Sequence, residues 1–206
     1  MAEPARQRLV LASGSLARRR MLAAAGVGYD FQASTIDERS LMAQGPVEGD
    51  DFAVAIANRL AAAKAVDVSQ HFPDAIVVGS DQTLNVVGGN ELMHKPANLE
   101  AAAAQLRTLR GRAHWLTSAV TIVDKGQVVW RHHERALMTM RDFSDAYLDT
   151  YLARVGENVC SSVGCYHLEG FGIQLFEKIE GDYFTILGMP LLPLLNELRR
   201  RKVIPT

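Results

Sequence analysis

Short apolar runs and longer amphipathic segments follow one another along this chain, and the pattern predicts strands and helices in mixed order. Leu9–Ala12 and Ala75–Val78 are uninterrupted apolar runs, as expected of strands that are covered on both faces. Asp50–Lys64 carries apolar residues at spacings of three and four, which predicts a helix packed on one side. The mixture favours an α/β or α+β domain built around one mixed sheet.

The middle of the chain predicts a β-hairpin. Ala113–Val123 and Gln127–Met140 alternate in polarity and are rich in Val, Thr and Trp, and Asp124-Lys125-Gly126 joins them. We expect the hairpin to form one wall of a cleft, so that residues 1–206 make a single domain with two lobes. The other predicted strands are Tyr29–Ala33, Thr83–Val87, Val163–Tyr166 and Ile173–Ile179. A first helix is predicted to end near Gly26, and the other predicted helices are Leu99–Leu109, Ser144–Arg154 and Pro190–Lys202. Loops or turns are predicted at Asp37–Gly49, with a break at Gly45-Pro46, and at Glu169–Gly172 and Gly181–Phe184.

Composition narrows the classes of protein. Of 206 residues, 48% are hydrophobic, which is enough for a sizeable core, and the formal net charge of −1 does not predict binding to a nucleic acid polymer. Cys160 and Cys165 suggest neither a disulfide framework nor a zinc site. No apolar run reaches the length of a membrane span, and Met1–Arg8 lacks the apolar core of a secretory signal. We therefore expect a soluble, cytoplasmic protein without a membrane partner.

The first local signal is the loop Ser13-Gly14-Ser15, which lies between the first strand and the first helix. A helix start offers free backbone N–H groups and a positive dipole end, and Ser13, Ser15 and Arg18 add donors suited to phosphate oxygens. The same local pattern fits an N-capped helix with a solvated basic face equally well. The loop is therefore a candidate phosphate site whose identity depends on the rest of the chain.

Four further polar positions interrupt apolar elements: Glu38, Lys64, Asp81 and Lys95. Asp81 lies just past a predicted buried strand, where open α/β sheets commonly place ligands, although a turn aspartate would look the same. Lys64 alone would be interpreted as a solvated helix residue. Taken together, the serines, Arg18 and the lysines can hold a triphosphate, and Glu38 and Asp81 can hold a divalent cation such as Mg²⁺ or Mn²⁺. A carboxylate can also orient or deprotonate an attacking water.

The order of these motifs resembles the Maf family of nucleoside triphosphate pyrophosphatases, whereas neither a GxxxxGK[ST] nor an HExxH motif occurs. The similarity spans almost the whole chain in order, which makes it specific. The matching stretches are Ala12–Leu22, Asp37-Glu38, Leu60–Ala65, Gly79–Gln82, Lys95-Pro96, Gly111–Val120 and Glu169–Leu191.

The resemblance implies a mixed α/β fold similar to that of inosine triphosphate pyrophosphatase, with a central twisted sheet, flanking helices, a deep cleft and a frequent homodimer. It also implies metal-dependent cleavage of a nucleoside triphosphate between the α- and β-phosphates, in a role that removes non-standard or modified nucleotides. By position, Asp81 matches the proposed general base of the family. Its other polar site residues are matched by Ser13, Arg18, Glu38, Lys64 and Lys95.

Two positions are candidates for selecting the base, Gln82 and Glu169. The branch that acts on 7-methyl-GTP resembles this chain with glutamine and glutamate at these positions. A carboxylate accepts both donors on the guanine edge and repels the carbonyls of thymine and uracil, so Glu169 suits a guanine base. Ala17 stands where that branch often has a bulky aromatic, and Tyr166, Phe171 or Trp115 are the candidates to replace it.

A second hypothesis is a nucleotide-binding regulatory module, linked to cell-division arrest, that does not hydrolyse its ligand. The complete set of Glu38, Lys64, Asp81 and Lys95 favours the enzyme, because a binding module needs no base beside the phosphates.

Overall fold

A seven-stranded mixed sheet is the centre of the computed structural model, which describes residues 7–45, 51–89 and 91–206. The strands are β1 (Leu9–Ala12), β2 (Asp30–Phe31), β3 (Ile76–Val86), β4 (Leu92–Met93), β5 (Ala113–Asp124), β6 (Gln127–Met140) and β7 (Phe176–Glu180). Their order across the sheet is β2-β1-β3-β5-β6-β7, with β4 paired to β3. β1 is parallel to β2 and β3, and the other pairs are antiparallel. The predicted mixed sheet is therefore confirmed.

Helices cover both faces of this sheet. The α-helices are α1 (Leu16–Ala24), α2 (Glu38–Ala43), α3 (Phe52–Ser69), α4 (Leu99–Leu109), α5 (Asp145–Val155), α6 (Tyr183–Ile186) and α7 (Leu191–Arg200). Two 3₁₀ helices lie at Gly156–Ser161 and Phe171–Leu175. None of the helices in the described part of the chain is long and apolar enough to span a membrane.

The hairpin prediction is confirmed, and its strands β5 and β6 belong to the central sheet. The turn between them has positive φ angles at Lys125 (48°) and Gly126 (74°), as a tight hairpin turn requires. Helix α4 has the predicted bounds, and α5 begins after Ser144, whose hydroxyl accepts a hydrogen bond from the backbone N–H of Tyr147. The prediction of two lobes around a cleft stays a prediction.

Successive residues of β3 face opposite sides of the sheet. Gly79 lies directly under α3, since a Cβ at this position would be 2.2 Å from the carbonyl oxygen of Ala61. Thr83 lies on the same face, and its hydroxyl donates to the carbonyl of Ala53 in α3. Asp81, between these two positions on that face, therefore lies under α3 as well. This packing brings α3 close enough for Lys64 to reach Asp81.

Two predictions around the site were wrong. β3 continues without a break from Ile76 to Val86, so Asp81 lies within the strand and not just past it. It continues because β5 pairs with it along its whole length, which satisfies the backbone of the polar residues too. The predicted loop after Asp37 begins as helix α2, because the Asp37 carboxylate accepts the backbone N–H groups of Arg39 and Ser40. The break predicted at Gly45-Pro46 lies partly outside the described residues.

The C-terminal third also differs from the pattern-based prediction. Val163–Tyr166 is not a strand, because Cys165 has a φ of 59° and the carbonyls of this segment accept side-chain donors, such as the hydroxyl of Tyr151. The predicted strand from Ile173 begins at Phe176, after a 3₁₀ helix. The turn predicted near Phe184 forms α6, which Asp182 caps by accepting from the N–H of Thr185.

Candidate active site

The loop that follows β1 is folded around the hydroxyl of Ser13. Its Oγ accepts hydrogen bonds from the backbone N–H of Ser15 at 3.2 Å and from Nη1 of Arg18 at 3.2 Å. Ser15 caps α1, since its Oγ accepts from the backbone N–H of Arg18 at 3.4 Å. The cap that we considered as an alternative is therefore present, and the guanidinium of Arg18 folds back over the same loop.

Arg18 is not part of a solvated basic face. Its Nε donates to the carbonyl of Gly188 at 2.8 Å, and the hydroxyl of Ser80 donates to the same carbonyl at 2.9 Å. Burial lowers the pKa of Arg18, while the negative charges of Asp81 and Glu38 act in the opposite direction. Arg18 therefore contacts the loop directly and lies in electrostatic range of the acidic residues. Ser80 and Gly188 are supporting residues that the sequence reasoning missed.

Lys64 joins the two acids that were predicted to hold a cation. Its Nζ lies 2.5 Å from Oδ1 of Asp81 and 2.9 Å from Oε1 of Glu38. Asp81 is buried, whereas half of the Glu38 side chain is exposed. The three charges therefore run from the interior of the sheet to the solvent, and a ligand would approach from the Glu38 side.

Burial raises the pKa of Asp81 above its ordinary value, although the positive charges of Lys64 and Arg18 oppose this change. A carboxylate in this environment binds a proton more readily than one in water. This property is what a general base needs, so the environment of Asp81 agrees with its predicted role.

Lys95 lies in the loop that follows β4, next to the same group of charges. Loss of solvation lowers the pKa of Lys95, and the nearby cations Arg18 and Lys64 lower it further. Glu38 and Asp81 act on it in the opposite direction. The structure thus brings Lys95 into electrostatic range of all four residues.

Gln82 occupies the other face of the sheet, because it follows Asp81 directly in a continuous strand. Its side-chain amide donates to the carbonyls of Thr185 and Ile186 at 3.1 and 3.0 Å and to the hydroxyl of Ser118 at 3.0 Å. The amide therefore ties β3 to α6, and the structure does not bring it to Lys64.

Glu169 is an exposed residue in the turn before the Phe171–Leu175 helix. No contact among the described residues joins it to Lys64 or Asp81. Its predicted role in base selection stays a prediction.

The three aromatic residues considered as replacements at position 17 all have packing partners. Tyr166 is buried, with its hydroxyl 2.7 Å from Nε2 of His114, and Phe171 stacks on Tyr151. The indole of Trp115 is covered by the guanidinium of Arg135, whose Cζ lies 4.4 Å from the ring centre. Each of these rings is thus held in place by the protein itself.

The donor set of the site fits a hard divalent cation. The carboxylates of Glu38 and Asp81 already share one cation, the ammonium of Lys64, so their oxygens converge on a common point. Such oxygen ligands suit Mg²⁺ or Mn²⁺. Among the described residues no group of three or more His, Cys, Asp or Glu side chains can hold a metal, so phosphate oxygens would have to complete the coordination shell.

These features define a mixed α/β protein in which a loop with two serine hydroxyls and a guanidinium lies beside a buried acid and two lysines. The family model described as Maf-like protein matches residues 8–201. The chain belongs to the Maf family.

Curated relatives are similar over nearly their whole length. A 7-methyl-GTP pyrophosphatase of Rhizobium meliloti is 52% identical over 192 residues, covering 93% of this chain and 94% of the relative. A nucleoside triphosphate pyrophosphatase of Granulibacter bethesdensis is 46% identical over 197 residues, covering 96% of this chain and 98% of the relative. Among solved structures, one is a nucleoside-triphosphatase / dITP/XTP pyrophosphatase of Mycobacterium abscessus. The alignment covers 97% of this chain and 98% of that chain, with 15% sequence identity and a TM-score of 0.44.

Proposed function

We propose that this member of the Maf family is a nucleoside triphosphate pyrophosphatase that cleaves between the α- and β-phosphates. The observation that carries the proposal is the position of Asp81. Its buried carboxylate contacts Lys64 and lies in electrostatic range of Arg18, which also contacts the loop of Ser13. The candidate base and the candidate phosphate-binding loop are thus both influenced by the charge of one guanidinium.

The chain's own residues account for the main steps. Ser13, Ser15, Arg18 and Lys95 bind the triphosphate through hydroxyl and cationic donors. A carboxylate oxygen of Asp81 takes a proton from the attacking water, whose oxygen forms a bond to the α-phosphorus. The bond from this phosphorus to the bridging oxygen breaks, and diphosphate leaves, so that the products are a nucleoside monophosphate and diphosphate. Lys64 holds the Asp81 carboxylate through Oδ1.

Glu38 and Asp81 are the residues that would hold a divalent cation such as Mg²⁺ or Mn²⁺. When bound, the ion would polarise the phosphoryl group and offset the charge that develops on it. Because half of the Glu38 side chain is exposed, we expect the ion to arrive together with the nucleotide phosphates.

The preferred base in this proposal is 7-methylguanine. Glu169 supplies a carboxylate that accepts from the guanine edge and attracts the positive charge of the methylated ring. Several relatives at about half identity carry the name 7-methyl-GTP pyrophosphatase, including those of Rhizobium meliloti and Brucella abortus. The proposal includes a role in the removal of modified nucleotides and a cytoplasmic homodimer, as the resemblance to the family implies. Light scattering would measure the mass of the protein in solution and so test the homodimer.

The test is release of diphosphate from 7-methyl-GTP, GTP, dTTP and UTP with Mg²⁺ or Mn²⁺. We expect the highest kcat/KM for 7-methyl-GTP. A folded protein that releases diphosphate from none of these would contradict the proposal. Tight binding without turnover would instead support the hypothesis of a regulatory nucleotide-binding module.

A further inference from the structure

Helix α3 carries an acid, Asp67, three residues after Lys64. Oδ2 of Asp67 accepts a hydrogen bond from the hydroxyl of Ser34 at 2.7 Å and another from the backbone N–H of Thr35 at 2.9 Å. Both donors belong to residues 32–37, the connecting segment between β2 and α2. Asp67 therefore binds this segment to α3 through one carboxylate oxygen.

Glu38 begins α2 immediately after the connecting segment. On the C-terminal side of Glu38, Nη1 of Arg59 in α3 donates to the carbonyl of Leu41 at 3.0 Å. The backbone that carries Glu38 is thus held at both ends by side chains of the helix that also carries Lys64. Asp67 holds the end that precedes Glu38, and Arg59 holds the end that follows it.

Glu38 needs such support because its own side chain contributes little to its position. A half-exposed ion pair is screened by water and contributes little to holding its own geometry. A short helix of six residues is also marginal without tertiary contacts. Hydrogen bonds to a carboxylate are stronger than neutral ones, and the bonds from Ser34 and Thr35 lower the pKa of Asp67, because they favour its charged form.

We infer that Asp67 is a positioning residue that fixes Glu38 opposite Lys64 and Asp81, by binding Ser34 and Thr35 to helix α3. The inference rests on the proposed function, because Glu38 is the exposed ligand of the proposed cation. Asp67 itself does not touch the reacting atoms.

Asp67→Asn is the first test, with Asp145→Asn as the matched control. Asp145 also accepts hydrogen bonds that lower its pKa, from Arg107 and Arg110, but it begins α5. Amide hydrogen exchange should become faster in residues 34–43 of the Asp67 variant and stay unchanged there in the control. Equal exchange in both variants would overturn the inference.

The second readout is Mn²⁺ affinity, measured by electron paramagnetic resonance with a non-hydrolysable α,β-methylene triphosphate bound. Loss of an outer hydrogen bond that orients a metal ligand typically costs about 10–100-fold in affinity, and we expect the lower part of this range for Asp67→Asn. Asp145→Asn should leave the affinity unchanged. An unchanged affinity in the Asp67 variant would also overturn the inference.

The third test asks whether Asp67 acts through Glu38. Residues that act through one contact give non-additive effects. Asp67→Asn should therefore reduce kcat in the wild-type background and cause no further reduction in a Glu38→Gln background. If the reduction in kcat of the double variant equals the product of the two single reductions, Asp67 does not act through Glu38. If the wild-type protein hydrolyses no triphosphate, the proposed function fails, while the exchange experiment still decides whether Asp67 anchors the segment.

Discussion

The ammonium group of Lys64 lies 2.5 Å from Oδ1 of Asp81, where helix α3 crosses strand β3. An acid in the middle of a buried strand would be costly without a partner, because desolvation disfavours its charge. Lys64 supplies that partner from the neighbouring helix, and its contact with Glu38 at 2.9 Å extends the charge pair towards solvent. The pair thus gives the buried carboxylate of Asp81 a charged partner and connects it to the half-exposed carboxylate of Glu38.

Asp81→Asn should abolish turnover and leave the fold intact. The amide cannot take a proton from water, and loss of a general base typically lowers kcat by about 10²–10⁴-fold. Because burial already disfavours the charged form of Asp81, we expect a small change in the melting temperature. Diphosphate release and thermal unfolding measure the two effects. A variant that keeps near wild-type kcat would exclude Asp81 as the base.

Lys64→Met should increase the affinity of the nucleotide-free protein for Mn²⁺ while turnover falls. The ammonium and the metal ion compete for the same two carboxylates, and one charge about 4 Å away is worth several kcal/mol at an effective dielectric constant of about 20. Calorimetry at pH 8 gives the affinity. Lys95→Met is the comparison, because it removes a cation that interacts with these acids only at longer range, so the affinity should rise less than in the Lys64 variant. A lower affinity in the Lys64 variant would contradict this prediction.

Gly79→Ala tests whether close packing of α3 on β3 sets the site. A Cβ at Gly79 would lie 2.2 Å from the carbonyl oxygen of Ala61 and 2.8 Å from the backbone nitrogen of Ala65, so the helix must move. Overpacking of this kind costs about 1–3 kcal/mol or more. We expect lower stability in urea and a reduced kcat from displacement of Lys64. Gly28→Ala is the control, since a Cβ there meets no atom within 4 Å.

Strand β3 shows where pattern-based prediction succeeds and fails. Its apolar first half was predicted, whereas Ser80, Asp81 and Gln82 appeared to end it, because a polar run resembles a loop when neighbouring strands are unknown. Pairing with β5 decides that the strand continues, and this pairing is a long-range contact. Because the strand continues, Gln82 faces the opposite side of the sheet from Asp81. This orientation could not be predicted without the pairing with β5.

The convergence of charged residues was easier to foresee. Motif order predicted one site from Arg18, Glu38, Lys64, Asp81 and Lys95. In the structure Lys64 contacts both Glu38 and Asp81, and Arg18 and Lys95 lie in electrostatic range of these three. Asp67 was missed because its partners, Ser34 and Thr35, lie more than thirty residues away. The sequence did contain one indication, because Asp67 follows Lys64 by three residues on one helix, and residues at this spacing are neighbours on the helix surface.

His114 should make the protein less stable in acid. Burial lowers its pKa to about 3, whereas an unfolded histidine titrates near 6.5, so the unfolded chain binds the extra proton between these values. The stability contributed by neutral His114 is fully present above about pH 6.5 and is lost as the pH falls towards about 3, with a slope of up to about 1.4 kcal/mol per pH unit. Urea unfolding between pH 4 and 7 should show a smaller slope for His114→Gln. Identical slopes would contradict the assignment.

Glu169→Gln should change the choice of base while leaving the hydrolytic step intact. A carboxylate accepts from both donors of the guanine edge, whereas an amide presents one acceptor and one donor group. We expect kcat/KM for 7-methyl-GTP to fall relative to UTP, by about tenfold for a lost charge-assisted contact worth about 1.4 kcal/mol. Glu157→Gln is the matched control, because it neutralises another exposed glutamate, in the Gly156–Ser161 helix. If the ratio of the two substrates stays the same in both variants, Glu169 does not contact the base, and the preference must arise from residues that hold the ring.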